Sequence, residues 1–331
     1  MRVRVAAVAA LASALAVLVL ATPGVPGQVA GPPVAAAAAD PVLAAVGDMA
    51  CDPSNRKFAS GLGVATACRQ ADTSDALLAD PIVGGVLGLG DFQYDCGDLA
   101  DYAVSYTPTW GRVNARMVPV AGNHEYKTGR DKFGAPCPSS NRTAANYFAY
   151  FGSAAHQESA GHFSFDVGSW HLVGLNANCG KSGVGGCGAA SSQTAWLRAD
   201  LADTTQPCIA AFWHQPYLLG TAKGKLTAYR PWWQELYDVG ADVVLNGHVH
   251  NYQRYAPRNP AGAPDPNGIT EYVVGTGGES LVAVPATASP MPEVWKKSFG
   301  YGRFTVHADG WDMDFVNAEG AVLDSSSGTC H

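Results

Sequence analysis

Gly247-His248-Val249-His250 closes an apolar run, residues 241–245, that reads as a buried strand. In extended chain, two imidazoles two residues apart point to the same side. The carboxyl edge of that strand therefore offers nitrogen lone pairs to a metal ion. Four other apolar runs close in a related way. Residues 41–48 end in Gly47-Asp48, and residues 82–89 lead into Gly90-Asp91. Residues 117–120 lead into Gly122-Asn123-His124-Glu125, and residues 208–213 into His214. Taken singly, an Asp or Asn after glycine is ordinarily a turn residue. A lone strand-end histidine is ordinarily a hydrogen-bonded structural one. Five apolar runs that all close on ligand-type residues form a joint pattern that chance does not readily give. Two cations about 3.5–4 Å apart need a shared carboxylate, terminal ligands and open positions for water and substrate. A mixture of hard carboxylates and borderline imidazoles meets that need.

Outside these runs the chain alternates strand and helix early and is richer in strands late. Helical patterns fall near residues 74–78, at 193–201 (Trp196, Leu197 and Leu201 on one face) and at 231–239 (Trp232, Trp233 and Leu236). Residues 162–176 alternate like a hairpin turning at Gly168-Ser169. Further strands read at 271–274, 302–306, 311–315 and 321–323, with long loops up to about residue 143 and over 178–191. That order predicts a layered α/β domain with parallel strands near the site, where ligands collect at the carboxyl ends of strands.

Of 331 residues, 47% are hydrophobic and 15% charged, so a sizeable core is expected. Residues 1–39 read as an export signal: Arg2 and Arg4, then an Ala/Val/Leu run broken only by Ser13, then Ala-x-Ala steps. The alternative is an uncleaved membrane anchor; no later stretch is apolar enough to span a bilayer, so no stable insertion is expected after cleavage. The formal charge of −7 becomes −9 without the two leader arginines (19 basic against 28 acidic residues). Such a balance offers no basic stripe for nucleic acid. Eight cysteines behind an export signal imply disulfides and a secreted protein. Pairing neighbours in order gives Cys51–Cys68, Cys96–Cys137, Cys179–Cys187 and Cys208–Cys330. A structural zinc site is disfavoured because no C-x-x-C occurs.

Five blocks carry a resemblance: Gly47-Asp48-Met49-Ala50, Gly90-Asp91-Phe92-Gln93-Tyr94, Gly122-Asn123-His124-Glu125, Phe212-Trp213-His214 and Gly247-His248-Val249-His250. In this order they resemble the calcineurin-like metallophosphoesterases, and most nearly a secreted bacterial purple acid phosphatase. Asn251-Tyr252-Gln253-Arg254 and residues 274–278 extend the likeness, which covers the chain from about residue 42 onward. The resemblance implies a four-layer α-β-β-α sandwich of two mixed sheets, as a single catalytic domain over residues 40–331. Ala50 stands where the wider superfamily has a metal-binding histidine and the purple subfamily usually a glycine. Tyr94 stands where the purple subfamily has a tyrosine that binds ferric iron, and a phenolate suits a trivalent ion.

Carried over residue by residue, the resemblance implies a first metal on Asp48, Asp91, Tyr94 and His250. The second would sit on Asp91, Asn123, His214 and His248, with Asp91 shared. The pair would be Fe(III) at the Tyr94 site and Fe(II), Zn(II) or Mn(II) beside it. His124 would be the catalytic residue beside the metals, and Glu125 either orients it or lies exposed in its loop. The implied activity is hydrolysis of small phosphate monoesters by a metal-bound hydroxide. The alternatives are a phosphodiesterase or nucleotidase of the same superfamily, or a secreted metal- or phosphate-binding module without turnover. The absence of a G-x-S-x-G elbow disfavours a serine hydrolase. Arg254 is expected in a salt bridge and Trp232 and Trp233 in helix packing. Asn141-Arg142-Thr143 fits a glycosylation sequon.

Overall fold

The apolar runs that end in ligand-type residues are short strands covered on both faces. A computed structural model describes residues 39–221 and 224–331. The export leader expected over residues 1–39 lies, up to Ala38, outside the described residues. In chain order the strands are β1 (Val42–Val46), β2 (Gly85–Gly88), β3 (Met117–Pro119), β4 (Phe163–Val167), β5 (Trp170–Gly174), β6 (Cys208–Trp213) and β7 (Val243–Asn246). They continue as β8 (Tyr252–Arg254), β9 (Thr270–Val274), β10 (Val294–Lys296), β11 (Gly300–Val306), β12 (Gly310–Asn317) and β13 (Val322–Thr329). The α-helices are α1 (Gln70–Leu78), α2 (Leu99–Asp101), α3 (Ala145–Phe151), α4 (Ser192–Asp203) and α5 (Arg230–Asp238). α4 starts on Ser191, whose hydroxyl accepts from the Thr194 amide, and α5 has Pro231 in its first turn.

Two mixed sheets result, in the orders β13-β12-β11-β1-β2-β3 and β10-β8-β9-β7-β6-β5-β4. β1, β2 and β3 run parallel, as do β5, β6, β7 and β9. The period-2 alternation of side chains sets the layers. Leu43 and Ala45 of β1, Ala210 and Phe212 of β6, and Val243 and Leu245 of β7 meet in the core between the sheets. Their neighbours Ala44 and Val46 face outward onto Leu77 of α1 and the aromatic cluster of Tyr102, Tyr106, Trp110 and Tyr147. Ala211, Trp213 and Val244 face outward onto Leu197, Trp232, Trp233 and Leu236 of α4 and α5. Because helices cover the outer faces, these strands read as unbroken apolar runs rather than as alternation. The four-layer α-β-β-α sandwich is thus the observed architecture, in a single domain.

The four disulfides join the pairs expected from order and leave no cysteine free among the described residues. No helix among the described residues is long and apolar enough to cross a membrane. Four elements depart from the sequence reading. α3 begins right after the segment taken as a long loop, and β8 and β10 fall where no strand was expected. β13 runs eight residues rather than three. Its Asp-Ser-Ser-Ser-Gly stretch is polar because β13 is the outermost strand, mostly open to solvent.

Candidate metal centre

The carboxyl ends of the parallel strands are stitched to one another just before the candidate ligands. Asp48 and Met49 amides donate to the Gly90 and Asp91 carbonyls at 3.0 and 2.9 Å. The Gly247 amide donates to the His214 carbonyl at 2.9 Å, and Gly47 to Val274 at 2.9 Å. These links pull segments far apart in sequence to one edge. Glycine is required where they touch. A Cβ on Gly122 would lie 2.2 Å from Asp91 Oδ1, and one on Gly247 would lie 2.8 Å from Asp48 Oδ2. Asp48, Asp91 and His248 themselves have φ of 60°, 54° and 69°. Non-glycine residues hold that conformation only when their surroundings impose it, as functional sites do.

The geometry corrects one premise. His248 and His250 are not in extended chain: β7 stops at Asn246. Val249 N donates to Gly247 O at 2.8 Å and Asn251 N to Val249 O at 2.6 Å, so each histidine is the middle residue of a three-residue turn. Both imidazoles still reach the centre, but they face different partners.

The first group comprises Asp48, Asp91, Tyr94 and His250. Tyr94 Oη lies 2.7 Å from Asp48 Oδ1, 2.8 Å from Asp91 Oδ2 and 3.0 Å from His250 Nε2, and His250 Nε2 lies 3.0 Å from Asp48 Oδ1. In the second group, His214 Nε2 lies 3.1 Å from Asn123 Oδ1, 3.1 Å from Asp91 Oδ2 and 3.3 Å from His248 Nδ1. Asp91 Oδ2 belongs to both groups. All seven ligand residues expected from the sequence therefore meet in one place. Donor atoms roughly 3 Å apart are what cations with bonds of about 2.0–2.3 Å require. Buried oxygens and imidazole nitrogens crowded this closely fit a pair of cations.

The electrostatics agree. Burial opposes ionisation of Asp91, but His214 and His124 beside it hold its carboxyl well below the usual range. Burial opposes a charge on His214 and His250, yet the carboxylates outweigh it and push them up to about 9 and about 10. Burial and His214 push His248 down to about 4. Burial, Asp48 and Asp91 raise Tyr94 well above its ordinary value. The carboxylates of Asp48 and Asp91 thus draw positive charge to this spot, and cations would supply it in place of imidazolium protons and of the Tyr94 phenol proton.

The calcineurin-like phosphoesterase family model matches residues 46–252, the segment that carries every one of these ligands. The chain belongs to the calcineurin-like phosphoesterases. Purple acid phosphatase 22 of Arabidopsis thaliana is 30% identical over 232 residues, covering 63% of this chain and 50% of that protein. Acid phosphatase A of Cryphonectria parasitica is 26% identical over 283 residues, covering 75% of this chain and 53% of that protein. The chain spans about half the length of these curated relatives. The purple acid phosphatase PPD1 from yellow lupin (Lupinus luteus) seeds superimposes with a TM-score of 0.60 at 17% identity, covering 87% of this chain and 53% of that one. That likeness bears on the fold.

Behind the candidate ligands this calcineurin-like phosphoesterase sets an outer layer of partners. His214 Nδ1 donates to the Leu89 carbonyl at 2.7 Å, leaving its Nε2 lone pair toward the centre. His250 Nδ1 faces Ser280 Oγ at 2.7 Å and Glu279 Oε2 at 3.2 Å, and Lys132 Nζ holds the other Glu279 oxygen at 2.6 Å. Burial opposes ionisation of Glu279, but His250 and Lys132 bring its pKa down to about 2. His124 stacks obliquely on Tyr94 with ring centroids 4.1 Å apart. Its Nε2 lies 3.9 Å from Asp91 Oδ2, beside the ligands rather than among them.

His124 is oriented by Asp95, which sequence reasoning missed. Nδ1 lies 2.5 Å from the Asp95 carbonyl and 3.2 Å from its Oδ1, and Lys127 holds the other carboxylate oxygen at 2.6 Å. Its only signal in the sequence was adjacency to Tyr94. Glu125 plays neither role expected of it. It is 1% exposed and accepts from the amides of Asp91, Phe92 and Gly122 at 3.0, 2.9 and 2.6 Å. It therefore ties the end of β2 to the end of β3. Burial and Asp91 push its pKa up to about 7.

Arg254 is ion-paired to Asp324 and Glu293 at 2.9 and 2.6 Å, and Trp232 and Trp233 are fully buried in helix packing. The sequon residue Asn141 is also fully buried, and its amide donates to the carbonyls of Cys96 and Lys127.

Burial works against a charge on His124, but Asp91 and Asp95 more than offset it and raise its pKa. Asp95→Asn removes part of that support, so the His124 pKa falls. The alkaline limb of the rate profile should then move to lower pH, and kcat should drop about 10-fold or more. A pH profile of the variant superimposable on the parent's would remove Asp95 from this role.

Proposed function

We propose that this chain is an exported phosphomonoester hydrolase of the purple acid phosphatase type, with residues 1–39 as its leader and residues 40–331 as its catalytic domain. The observation that carries this reading is the convergence of Asp48, Asp91, Tyr94, Asn123, His214, His248 and His250 on one point, with Asp91 Oδ2 common to both halves. Four disulfides support an oxidising destination. The phenol and carboxylates of the first group suit Fe(III), while the amide and two imidazoles of the second suit Fe(II), Zn(II) or Mn(II). When bound, such a pair supplies an activated water at neutral or acid pH and neutralises the phosphate oxygens.

The chain's own residues do the rest. Asp91 holds the two halves in register. The Leu89 carbonyl and the Glu279 carboxylate fix the tautomers of His214 and His250. His124 Nδ1 donates to Asp95, and the imidazolium that Asp91 and Asp95 favour carries a second proton at Nε2. From beside the centre that proton can be given to the departing alcohol oxygen, or can hydrogen-bond a phosphate oxygen.

The experiment is hydrolysis of a simple aryl phosphate by purified protein supplied with iron, zinc or manganese, read together with the visible spectrum. Tyrosinate on ferric iron gives a charge-transfer band, so the protein should be coloured. Tyr94→Phe should bleach it while leaving the seven-strand sheet and its far-ultraviolet spectrum intact. A colourless protein with full metal occupancy would rule out the ferric assignment. Absence of turnover with every metal would favour a binding module instead.

A further inference from the structure

Beside the centre, on the side of His248 and His250, lies a cavity of about 530 Å³. Among the described residues, its walls apart from the two imidazoles and Thr221 are Leu219, Leu226, Val249 and Val282. The charged groups near the centre, His124 with Asp95 and Lys127, and Glu279 with Lys132, do not line it. The centre therefore has an apolar flank, and Val282 on it is 45% exposed. Isolated exposed valines carry no message, but apolar side chains gathered beside convergent polar donors are the usual make-up of a ligand site.

The wall is held in place by buried polar groups. Gln253, fully buried, accepts from the Gly220 amide at 2.9 Å and from Tyr255 Oη at 2.6 Å, and donates to Asn251 Oδ1 at 2.7 Å. Glu271, also fully buried, accepts from the amides of Tyr217 and Leu218 at 2.8 and 3.0 Å. Leu226 N donates to Tyr217 O at 2.9 Å, and Val282 N to His250 O at 2.8 Å. The segment after His214 and the segment after His250 are thus fastened to each other and to the ligands. A surface formed in advance binds a partner without a further ordering cost.

We infer that this flank receives the organic group of the ester, and that the enzyme prefers phosphate monoesters of apolar aromatic or branched alcohols over those of polyols. The inference rests on the phosphatase reading of the centre. Hydrolysis breaks the bond from phosphorus to the alcohol oxygen and releases the alcohol. The apolar wall touches only the part of the substrate that distinguishes one ester from another. A polyol there would leave its hydroxyls against Leu219, Leu226, Val249 and Val282 without partners.

The test compares kcat/KM of the metal-loaded full chain for benzyl phosphate and glycerol phosphate. Their alcohols are of similar basicity, so leaving-group ability does not decide the ratio. Benzyl phosphate should be favoured about 10-fold or more. Val282→Asn and Leu226→Asn should each bring the ratio toward one, mainly by raising KM for benzyl phosphate. Benzylphosphonate, which is not hydrolysed, should inhibit the parent more tightly than methylphosphonate and lose that advantage in both variants. Val282 is half-exposed, so its replacement is not expected to disturb folding. Equal ratios in the parent, or ratios untouched by both variants, overturn the inference and leave the phosphatase reading standing. Hydrolysis of neither ester overturns both.

Discussion

Asp91→Asn is expected to lower phosphatase activity at least 100-fold and to reduce bound metal from two ions per chain to one or none. The substitution keeps the side chain's size and its Oδ1 contact to the His124 amide at 2.8 Å. What it removes is negative charge at Oδ2, the one atom in reach of both Tyr94 Oη and His214 Nε2. Loss of an outer partner of a metal ligand typically costs about 10–100-fold, and a ligand common to both ions should cost at least the upper end of that range. Metal content by elemental analysis and kcat/KM on an aryl phosphate are the measurements. Two ions retained with activity within 10-fold of the parent would show that the centre is not organised around Asp91.

Replacing Cys208 and Cys330 together by serine should destabilise the domain by roughly 2–5 kcal/mol, which for a domain of this size lowers the melting temperature by about 10 °C. Cys208 opens β6 in the seven-stranded sheet, and Cys330 follows β13 at the edge of the six-stranded one. The bond therefore joins the two layers and closes 122 residues of chain. Closure of so long a loop removes more freedom from the unfolded chain than the eight-residue link Cys179–Cys187 does. Thermal unfolding followed by circular dichroism checks this. A shift below about 2 °C would mean that sheet packing alone holds β13 and its tail.

The strands around the centre were legible because helices cover their outer faces. β6 and β7 are buried on both sides, so Ile-Ala-Ala-Phe-Trp and Val-Val-Leu stand out as runs. Asp48, Asp91, Asn123, His214, His248 and His250 were legible because they close such runs, and Tyr94 through the resemblance its block carries. What the sequence did not show were the partners that lie across the fold. Asp95 and Glu279 look like ordinary loop acids until folding sets them against His124 and His250. Glu125 was visible as a residue but not as a clamp, because its three donors are main-chain amides of two strand ends. β13 was understated because a serine-rich edge strand exposed to water has no hydrophobic pattern to read. The turns at His248 and His250 were read as extended chain because a three-residue turn centred on histidine has no sequence signature.

The inaccessible Asn141 amide bears on how the protein can be manufactured. Oligosaccharide transfer needs a free carboxamide, and here it is locked onto the carbonyls of Cys96 and Lys127. A yeast or insect-cell host that decorates nascent chains during translocation would modify Asn141 before that lock closes. The sugar would then keep the loop from seating beside Cys96, two residues from Tyr94. A host that exports without this decoration, or a Thr143→Ala gene at the exposed end of the sequon, avoids the conflict.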